Sequence, residues 1–309
     1  MAFRTNGFIG VDPETGEVIV QTDEPSVVTV KSPAQYELAA YYASLRDGPD
    51  SKRLKRNTQG NFIWSIFDVA QEKLLGAHTK LRPATLTRVM VLATYITKHG
   101  YLGIDEKTPM TRALMGKALN MAAAELSGFL KELRENEMLQ EREGLFFMSP
   151  AWFRRGAFST SEMRTIRMNS QSISRVYRDA VRELYKKAYG RSSLYRLSYL
   201  FRVMPYVNRR YNVVCFNPEE TDSDKIEPLS LGDVAELVGR GRTHAKEFRD
   251  ALSDPLFEIP EKGTTQLCRA VCYVSGKGSV DTYGLYINPR VYYAGNNWDD
   301  VAALSIWKV

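Results

Sequence analysis

The sequence has few of the residues that metal sites and many active sites require. It contains three histidines and three cysteines among 309 residues, namely His78, His99, His244, Cys215, Cys268 and Cys272. None of them forms the closely spaced histidine or cysteine pair that holds a zinc ion, and no glycine-rich loop has the spacing of a nucleotide-phosphate site. We therefore expect a protein that is not an enzyme and that carries no metal or other cofactor.

Long apolar runs are also missing from the sequence. No run approaches the roughly 20 apolar residues of a membrane span, and the N-terminus lacks the apolar region of a secretion signal. Three cysteines form no disulfide framework, and Cys268 and Cys272 are expected to face the same way on one strand as small hydrophobic residues. These features, with a hydrophobic content of 44% and a charged content of 25%, predict a globular, cytoplasmic protein without a membrane partner.

Charge is abundant but unevenly placed along the chain. Residues 1–50 contain three basic and eight acidic residues, a net charge of −5, whereas residues 150–215 contain 14 basic and three acidic residues, a net charge of +11. A concentrated positive face is typical of a protein that binds a polyanion such as DNA. A solvated basic helix without a partner is the alternative interpretation.

A ten-residue pattern occurs twice in the sequence. Residues 147–156 read FMSPAWFRRG and residues 286–295 read YINPRVYYAG, with proline and glycine in register and a Gly-Leu pair shortly before each copy. A repeated segment indicates a supersecondary unit that the chain uses more than once.

Both copies follow the same predicted order of helices and strands. The first copy is preceded by predicted helices over residues 85–97, 109–118 and 121–137, with Asn120 as turn and N-cap, and by strands over 138–140 and 145–148. The second copy is preceded by predicted helices over 193–207, 231–238 and 243–252, with Ser230 as N-cap and 239–241 as turn, and by strands over 256–259, 267–274 and 283–287. A helix-turn-helix followed by a β-hairpin is the order of a winged helix.

We therefore predict an α+β fold, mostly α, with two tandem winged-helix domains over residues 59–158 and 192–309. Residues 1–58 are predicted to form a small N-terminal extension with a β-hairpin, a further strand, a helix over residues 33–45 and a basic linker.

A basic connector helix is predicted between the two domains, over residues 159–191. Ser170 or Ser172 can open this helix, and its apolar stripe runs from Ile173 to Tyr185 with arginines on the remaining faces. A structured connector would hold the two domains in a fixed relation, as a reader of two DNA contacts requires.

The third helices of the two units differ in their side chains. The helix of the second unit begins Arg242-Thr243-His244-Ala245-Lys246, which can donate to guanine edges or phosphates, whereas that of the first begins with the donor-poor residues 121–125. We expect the second unit to supply most base contacts and the first to supply backbone contacts or a dimer surface. The residues predicted to bind DNA are Arg240, Arg242, Thr243, His244, Lys246, Arg249, Ser127, Lys131, Arg134, Arg142, Arg154, Arg155, Arg164 and Arg167.

The segment Gly-Asn-Phe-Ile-Trp at residues 60–64, the helix-turn-helix and the closing segment from Met148 to Gly156 together resemble plasmid and phage replication initiators of Gram-positive hosts. Those initiators close a winged helix with Met-Asn-Pro-x-aromatic-aromatic-x-Gly, and residues 287–295 are more similar to this pattern than the first copy, where Ser149 replaces asparagine. The resemblance covers about residues 60–300. It implies an initiator that binds repeated DNA sites at an origin, in which one domain can mediate dimerisation.

Functions from two classes stay open at the level of sequence. The net charge of +11 and the basic third helix of the second unit favour a sequence-specific binder of double-stranded DNA, either an initiator or a transcriptional regulator. The donor-poor helix and the acidic N-terminal segment leave room for a phage protein-interaction module that engages a host polymerase or replication protein. The expected partners are thus double-stranded DNA, a second copy bound through the first winged helix, and host replication or transcription proteins.

Overall fold

The described part of the chain is an α+β structure with seven α-helices and small antiparallel sheets. The computed structural model describes residues 2–5, 8–11, 18–22, 26–29, 62–68, 81–156, 158, 161–162, 171–188, 190–253, 256–261, 264–274 and 284–295. Met1–Ser51 and Lys52–Val309 form two compact units. The mixed α+β class that the sequence predicts is therefore confirmed.

The first unit contains short β-strands in its described residues. They are β1 (Ala2–Thr5), β2 (Phe8–Val11), β3 (Val18–Thr22) and β4 (Ser26–Thr29). The predicted hairpin is formed by β2 and β3, and β4 pairs antiparallel with β1, a strand that the sequence pattern does not predict. The predicted helix over residues 33–45 and the basic linker lie outside the described residues.

The second unit contains two halves, which we call the first half (residues 62–156) and the second half (residues 171–295). The first half comprises β5 (Phe62–Asp68), α1 (Pro83–Ala93), α2 (Arg112–Ala118), α3 (Ala123–Glu135), β6 (Leu139–Arg142), β7 (Leu145–Met148) and β8 (Phe153–Arg154). The second half comprises β9 (Gln171–Tyr177), α4 (Arg178–Lys187), α5 (Gly190–Arg202), α6 (Leu231–Leu237), α7 (Ala245–Ser253), β10 (Leu256–Glu261), β11 (Thr264–Arg269), β12 (Val271–Val274), β13 (Gly284–Ile287) and β14 (Tyr292–Tyr293). A 3-10 turn, Arg242–His244, directly precedes α7.

Helix α3 shows why these segments are helical. Its apolar residues recur at the spacing of one helix face, and all four of them, Leu126, Phe129, Leu130 and Leu133, are buried as that spacing predicts. The opposite face, which includes Ser127 and Lys131, is exposed. The buried face is part of one continuous apolar core that also takes in α1, α4, α5 and α7.

The repeated segment makes the same hydrogen bonds in both halves. The amide of Ser149 donates to the carbonyl of Met138 at 2.9 Å, and the amide of Asn288 donates to the carbonyl of Ala270 at 2.8 Å. The Ser149 carbonyl then accepts from Phe153 at 3.0 Å, and the Asn288 carbonyl accepts from the equivalent Tyr292 at 3.4 Å. The segment is therefore a corner that leads from a hairpin into a closing strand.

The bend between the second and third helices is also the same in both halves. Thr111 and Ser230 cap α2 and α6 by accepting from the amides of residues 114 and 233. Asn120 and Gly239 follow these helices with φ angles of 47° and 80°, in the left-handed region that asparagine and glycine tolerate best. Asn120 is thus the predicted turn but not the predicted N-cap, because Ala122 occupies the cap of α3 and makes no side-chain hydrogen bond.

One four-stranded sheet, in the order β14-β9-β5-β8, joins the two halves. At the centre of the sheet, Trp64 of β5 pairs with Arg175 of β9. On the outer strands, Trp64 also pairs with Arg154 of β8, and Arg175 also pairs with Tyr293 of β14. Arg154 and Tyr293 occupy equivalent positions of the two repeat copies. The register therefore gives the sheet a quasi-two-fold axis through the Trp64–Arg175 pair.

The prediction of a helix over the first part of the connector is wrong, because residues 171–177 form strand β9. Only the following segment, α4, is helical. The spacing of Ile173, Val176 and Tyr177 fits a helix, but the strand is fixed by seven register pairs with β5. The β-branched Ile173 and Val176 also favour a pleated strand over a helix. Tertiary strand pairing has overridden the helical period.

The predicted strand over residues 267–274 is broken at Ala270, which corrects the placement of the cysteines. Cys268 lies on β11 and Cys272 on β12, so they do not share a strand, and all three cysteines of the chain are free. At the break, the Asn288 side chain donates to the Arg269 carbonyl at 2.8 Å and the Asn288 amide donates to the Ala270 carbonyl at 2.8 Å.

The hairpin of β12 and β13 is the counterpart of the hairpin of β6 and β7. Met148 pairs with Leu139 and the equivalent Ile287 pairs with Val271. The hairpin of β10 and β11 is therefore an addition to the second half, rather than the wing strands that the sequence predicts over residues 256–259 and 267–274.

Candidate nucleic-acid interface

The turn between α6 and α7 presents polar side chains to solvent because its apolar residues all point inward. Val234, Val238, Phe248 and Leu252 are buried in the core, and residues 239–244 are exposed. We call the exposed set of Arg240, Arg242, Thr243, His244 and Lys246 the cationic turn. The sequence predicts all five of these residues as DNA contacts, and the structure brings them together at the start of α7.

Arg242 and Asp233 connect the cationic turn to α6. The Arg242 guanidinium pairs with the Asp233 carboxylate and lies 3.7 Å from Glu236. Hydrogen bonds from the Ser230 side chain, with Arg242 nearby, lower the pKa of Asp233 below its ordinary value. Arg242 is therefore held in place while 61% of its side chain stays exposed.

Arg240 is held by aromatic rings. Its Nε donates to the Tyr199 hydroxyl, and its guanidinium lies 5.3 Å from the ring centre of Tyr195. This hydrogen bond from Arg240 to Tyr199 raises the pKa of the arginine, and burial raises the pKa of Tyr199 to about 12. The guanidinium is thus charged and fixed in direction.

The other residues of this region that are predicted to contact DNA differ in whether they form ion pairs within the protein. His244 lies 3.2 Å from Glu247, and Arg249 lies 3.1 Å from Asp250. Lys246 is exposed and makes no ion pair with any residue that the structure describes. Lys246 is therefore the cation of this surface that is most available to an external anion.

The predicted contacts of the first half are paired within that half. Ser127 donates to the Ala123 carbonyl at 2.9 Å, Lys131 lies 3.8 Å from Glu135, and Arg134 lies 2.5 Å from Glu141. Arg142, at the end of β6, donates to the side chain of Gln140. The start of α3 exposes Ala122, Ala123 and Ala124, so this face offers few donors, as the sequence predicts.

Arg154 and Arg155 tie the closing segment to its surroundings. Arg154 lies 2.6 Å from Glu162 and its guanidinium is 4.7 Å from the ring centre of Phe158. Arg155 donates to the Ile96 carbonyl at 3.2 Å and pairs with Glu106. The predicted contacts Arg164 and Arg167 lie outside the described residues.

Three arginines of the basic stretch are engaged in the interior, which corrects the expectation that the arginines of this stretch face outward. The Thr94 carbonyl at the end of α1 accepts from Arg178 at 2.5 Å and from Arg182 at 2.7 Å. Burial, with Arg182 and Arg155 nearby, lowers the pKa of Arg178 to about 10, so it stays charged at neutral pH. Arg202 is also buried and donates to the Val238 carbonyl at 2.8 Å.

In both halves, a side chain donates a hydrogen bond to the carbonyl at the C-terminal end of the second helix, which is α2 in the first half and α6 in the second. Tyr185 of α4 donates to the Leu119 carbonyl at 2.5 Å, in the position where Arg202 binds the Val238 carbonyl in the second half. Each bond fixes the start of the turn into the third helix. The sequence gives no local signal for these bonds, because the partners lie 66 and 36 residues apart.

Within the described residues, no group of three or more histidine, cysteine or acidic side chains could hold a metal ion. None of the helices in the same part of the chain has the length and apolarity needed to cross a membrane. Comparison of the chain with family models, curated proteins and solved structures finds no match.

Proposed function

We propose that this protein binds double-stranded DNA sequence-specifically and acts as a plasmid or phage replication initiator at repeated origin sites. The observation that carries the proposal is the cationic turn, an exposed set of donors at the start of a helix whose other face is buried. A helix presented in this way can enter the major groove, where arginine, lysine, threonine and histidine side chains donate to base edges and phosphates. The resemblance to initiators adds the origin as the place of action.

The fold that we propose is a tandem pair of winged helices. Each half has helices followed by a hairpin and a closing strand, with equivalent hydrogen bonds at the corner and at the helix turn. The shared sheet and the bonds from Arg178 and Arg182 of the second half to Thr94 of the first favour a fixed distance between the two third helices. A fixed distance supports recognition of two DNA half-sites by one chain.

The two halves contribute unequally in this proposal. The second half presents the cationic turn, whereas α3 presents Ala122, Ala123 and Ala124, which have no side-chain donors. We infer that the second half reads bases and that the first half binds the DNA backbone or a second copy of the chain. Sequence recognition and positioning are thereby divided between the halves.

The first test is to capture fragments of the source genome or plasmid with the protein at about 0.15 M salt, because lower salt admits nonspecific binding. We expect enrichment of one locus with direct repeats beside an AT-rich segment. An inverted repeat over a promoter would assign the protein to transcriptional regulation instead. If the folded protein enriches no locus, sequence-specific DNA binding is rejected and a protein partner takes its place.

Lys246→Glu tests the surface itself. Loss of a contact to a base or phosphate and repulsion from the backbone should weaken binding to the captured site about 10- to 100-fold. Lys107→Glu is the matched control, because Lys107 is exposed, has no ion pair among the described residues and lies outside the cationic turn. Equal affinities of the two variants in fluorescence anisotropy would remove the cationic turn from the interface.

A further inference from the structure

A groove of about 1080 Å³ opens between the first half and helices α4 and α5 of the second half, next to the turn between α2 and α3. Its walls come from the start of α1, the end of α2, one side of α3, and the junction of α4 with α5. None of the residues predicted to bind DNA lines it, although Tyr195 at its edge also contacts Arg240 of the cationic turn.

The described lining of the groove is strongly basic. Its charged residues are Arg82, Arg88, Lys117 and Lys186 against the single carboxylate of Glu125. Arg82 pairs with Glu132 at 3.0 Å and Arg88 pairs with Glu125 at 2.8 Å. The two lysines are exposed and make no ion pair with residues in the described ranges, so the groove carries excess positive charge.

Arg88 adds a donor that the described protein groups leave unused. Only 14% of its side chain is exposed, and its Nε is buried without a hydrogen-bond partner among the described residues. A buried donor without a partner is costly, and the Arg88 guanidinium adds its charge to the wall of the groove. The first turn of α1, whose residues Pro83, Ala84 and Thr85 line the groove, also favours an anion there.

The second half has an aromatic side chain where the first half has Arg88. The bridges Ile96–Leu102 and Val207–Val214 align α1 with α5, so that Tyr199 takes the place of Arg88. There Arg240 stacks on Tyr199 and Tyr195. The basic groove therefore lies beside the helix turn of the first half, the half whose third helix lacks donors.

We propose that the groove seats the sugar-phosphate backbone of DNA, with Lys117 and Lys186 as its principal contacts. This proposal rests on the proposed function and names a positioning surface beside the helix turn of the first half. The lysines lie on α2 and α4, at two walls of an open groove, which suits a continuous chain of phosphates better than one small anion. Phosphate contacts of this kind set position and affinity without reading sequence.

The test is the salt dependence of binding for Lys117→Ala, Lys186→Ala and the double variant, with Lys107→Ala as control. Each phosphate contact contributes about 0.9 to the slope of log affinity against log salt concentration. We expect each single variant to reduce that slope by about 0.9, the double variant by about twice as much, and the control not at all. The loss should be equal for the captured site and for an unrelated duplex of the same length.

The outcomes separate this proposal from the one on which it rests. If the double variant still binds its site with the wild-type dependence of affinity on salt, the groove does not contact the DNA backbone. The proposal that the protein binds DNA would then still stand. Absence of any DNA binding by the folded wild-type protein would overturn both. If pyrophosphate raises the melting temperature of the wild type but not of the double variant, while the slopes stay equal, the groove is a small-anion site and the proposal fails.

Discussion

Arginine has two uses in this chain, and its position in the sequence alone does not distinguish them. Arg178 and Arg202 are buried and satisfy carbonyl groups at helix ends, whereas Arg242 is mostly exposed on the cationic turn. A charge count over residues 150–215 treats the buried Arg178 and Arg202 as surface charge. The acceptors Thr94 and Val238 lie on other elements, so the count overstates the positive surface.

Glu106 should make the free energy of unfolding depend on pH in the acid range. The amide of Lys98 donates to it at 2.8 Å and Arg155 pairs with it, and together they lower the pKa of Glu106 below its ordinary value. A lowered folded-state pKa gives stability that is present above the ordinary value of 4.5 and is lost as the pH falls through the folded-state value. Glu106→Gln should therefore flatten the loss of unfolding free energy below about pH 4.5, measured by urea denaturation at several pH values.

The matched control for this measurement is Glu143→Gln. Glu143 is exposed at the tip of the β6–β7 hairpin and makes no ion pair in the described part of the chain. If the two variants give the same pH profile, the bonds to Lys98 and Arg155 do not couple protonation to folding.

At the scale of elements, α6 depends on its cap. Ser230 accepts from the Asp233 amide at 3.1 Å, and Asp233 accepts from the Ser230 amide at 3.2 Å, which completes a capping box. Ser230→Ala should lower the free energy of unfolding by about 1 kcal/mol, because it leaves an amide of the first turn unpaired. Chemical denaturation monitored by circular dichroism measures the change.

Ser127→Ala provides the comparison for this cap. The Ser127 hydroxyl donates to the Ala123 carbonyl inside α3, and the residue is exposed, so its loss should change stability by no more than about 0.5 kcal/mol. Equal destabilisation by the two substitutions would mean that the Ser230 cap contributes no more than an ordinary surface hydroxyl.

The periodicity of the sequence predicts the elements that stabilise themselves locally and misses those that depend on distant partners. The four buried residues of α3 and the Ser230 cap are read from neighbours in the sequence, and both predictions are confirmed. Strand β9 was missed because Ile173, Val176 and Tyr177 also fit a helical stripe, and only pairing with β5 decides between the two. The break at Ala270 has no local sequence signal either, since Asn288, which donates to the Arg269 carbonyl at the break, lies 19 residues further along the chain.

The same distinction between local and distant partners decides which parts of the candidate site could be predicted from the sequence. The donors of the cationic turn are consecutive or nearly so, and their place at the start of a helix could be predicted from the glycines and the helical spacing. The groove could not be predicted, because its lining comes from residues between 82 and 195 on five helices. The ion pair between Asp233 and Arg242 could not be predicted either, because it forms only when the turn folds back on α6.

At the scale of the molecule, the two copies of the repeated segment end at the two edges of one sheet. Trp64 and Arg175 meet at the centre of that sheet, with the guanidinium 5.0 Å from the ring centre. Each half therefore completes its own closing strand on a sheet that neither half forms alone. We infer that the halves unfold together rather than as independent domains.

Val176→Ala tests this cooperativity. Val176 is fully buried on β9 and pairs with Ile63 of β5 and Tyr292 of β14, so removal of its methyl groups should cost about 2 kcal/mol at the junction of the halves. The free energy of opening measured by amide hydrogen exchange should then fall by the same amount in α1 and in α6. Chemical denaturation should show a single transition for both helices. Ile104→Ala, at an exposed position of the first half, should change neither helix. Acceleration confined to α6 would mean that the second half unfolds alone, and a fixed distance between the third helices would then lose its physical basis.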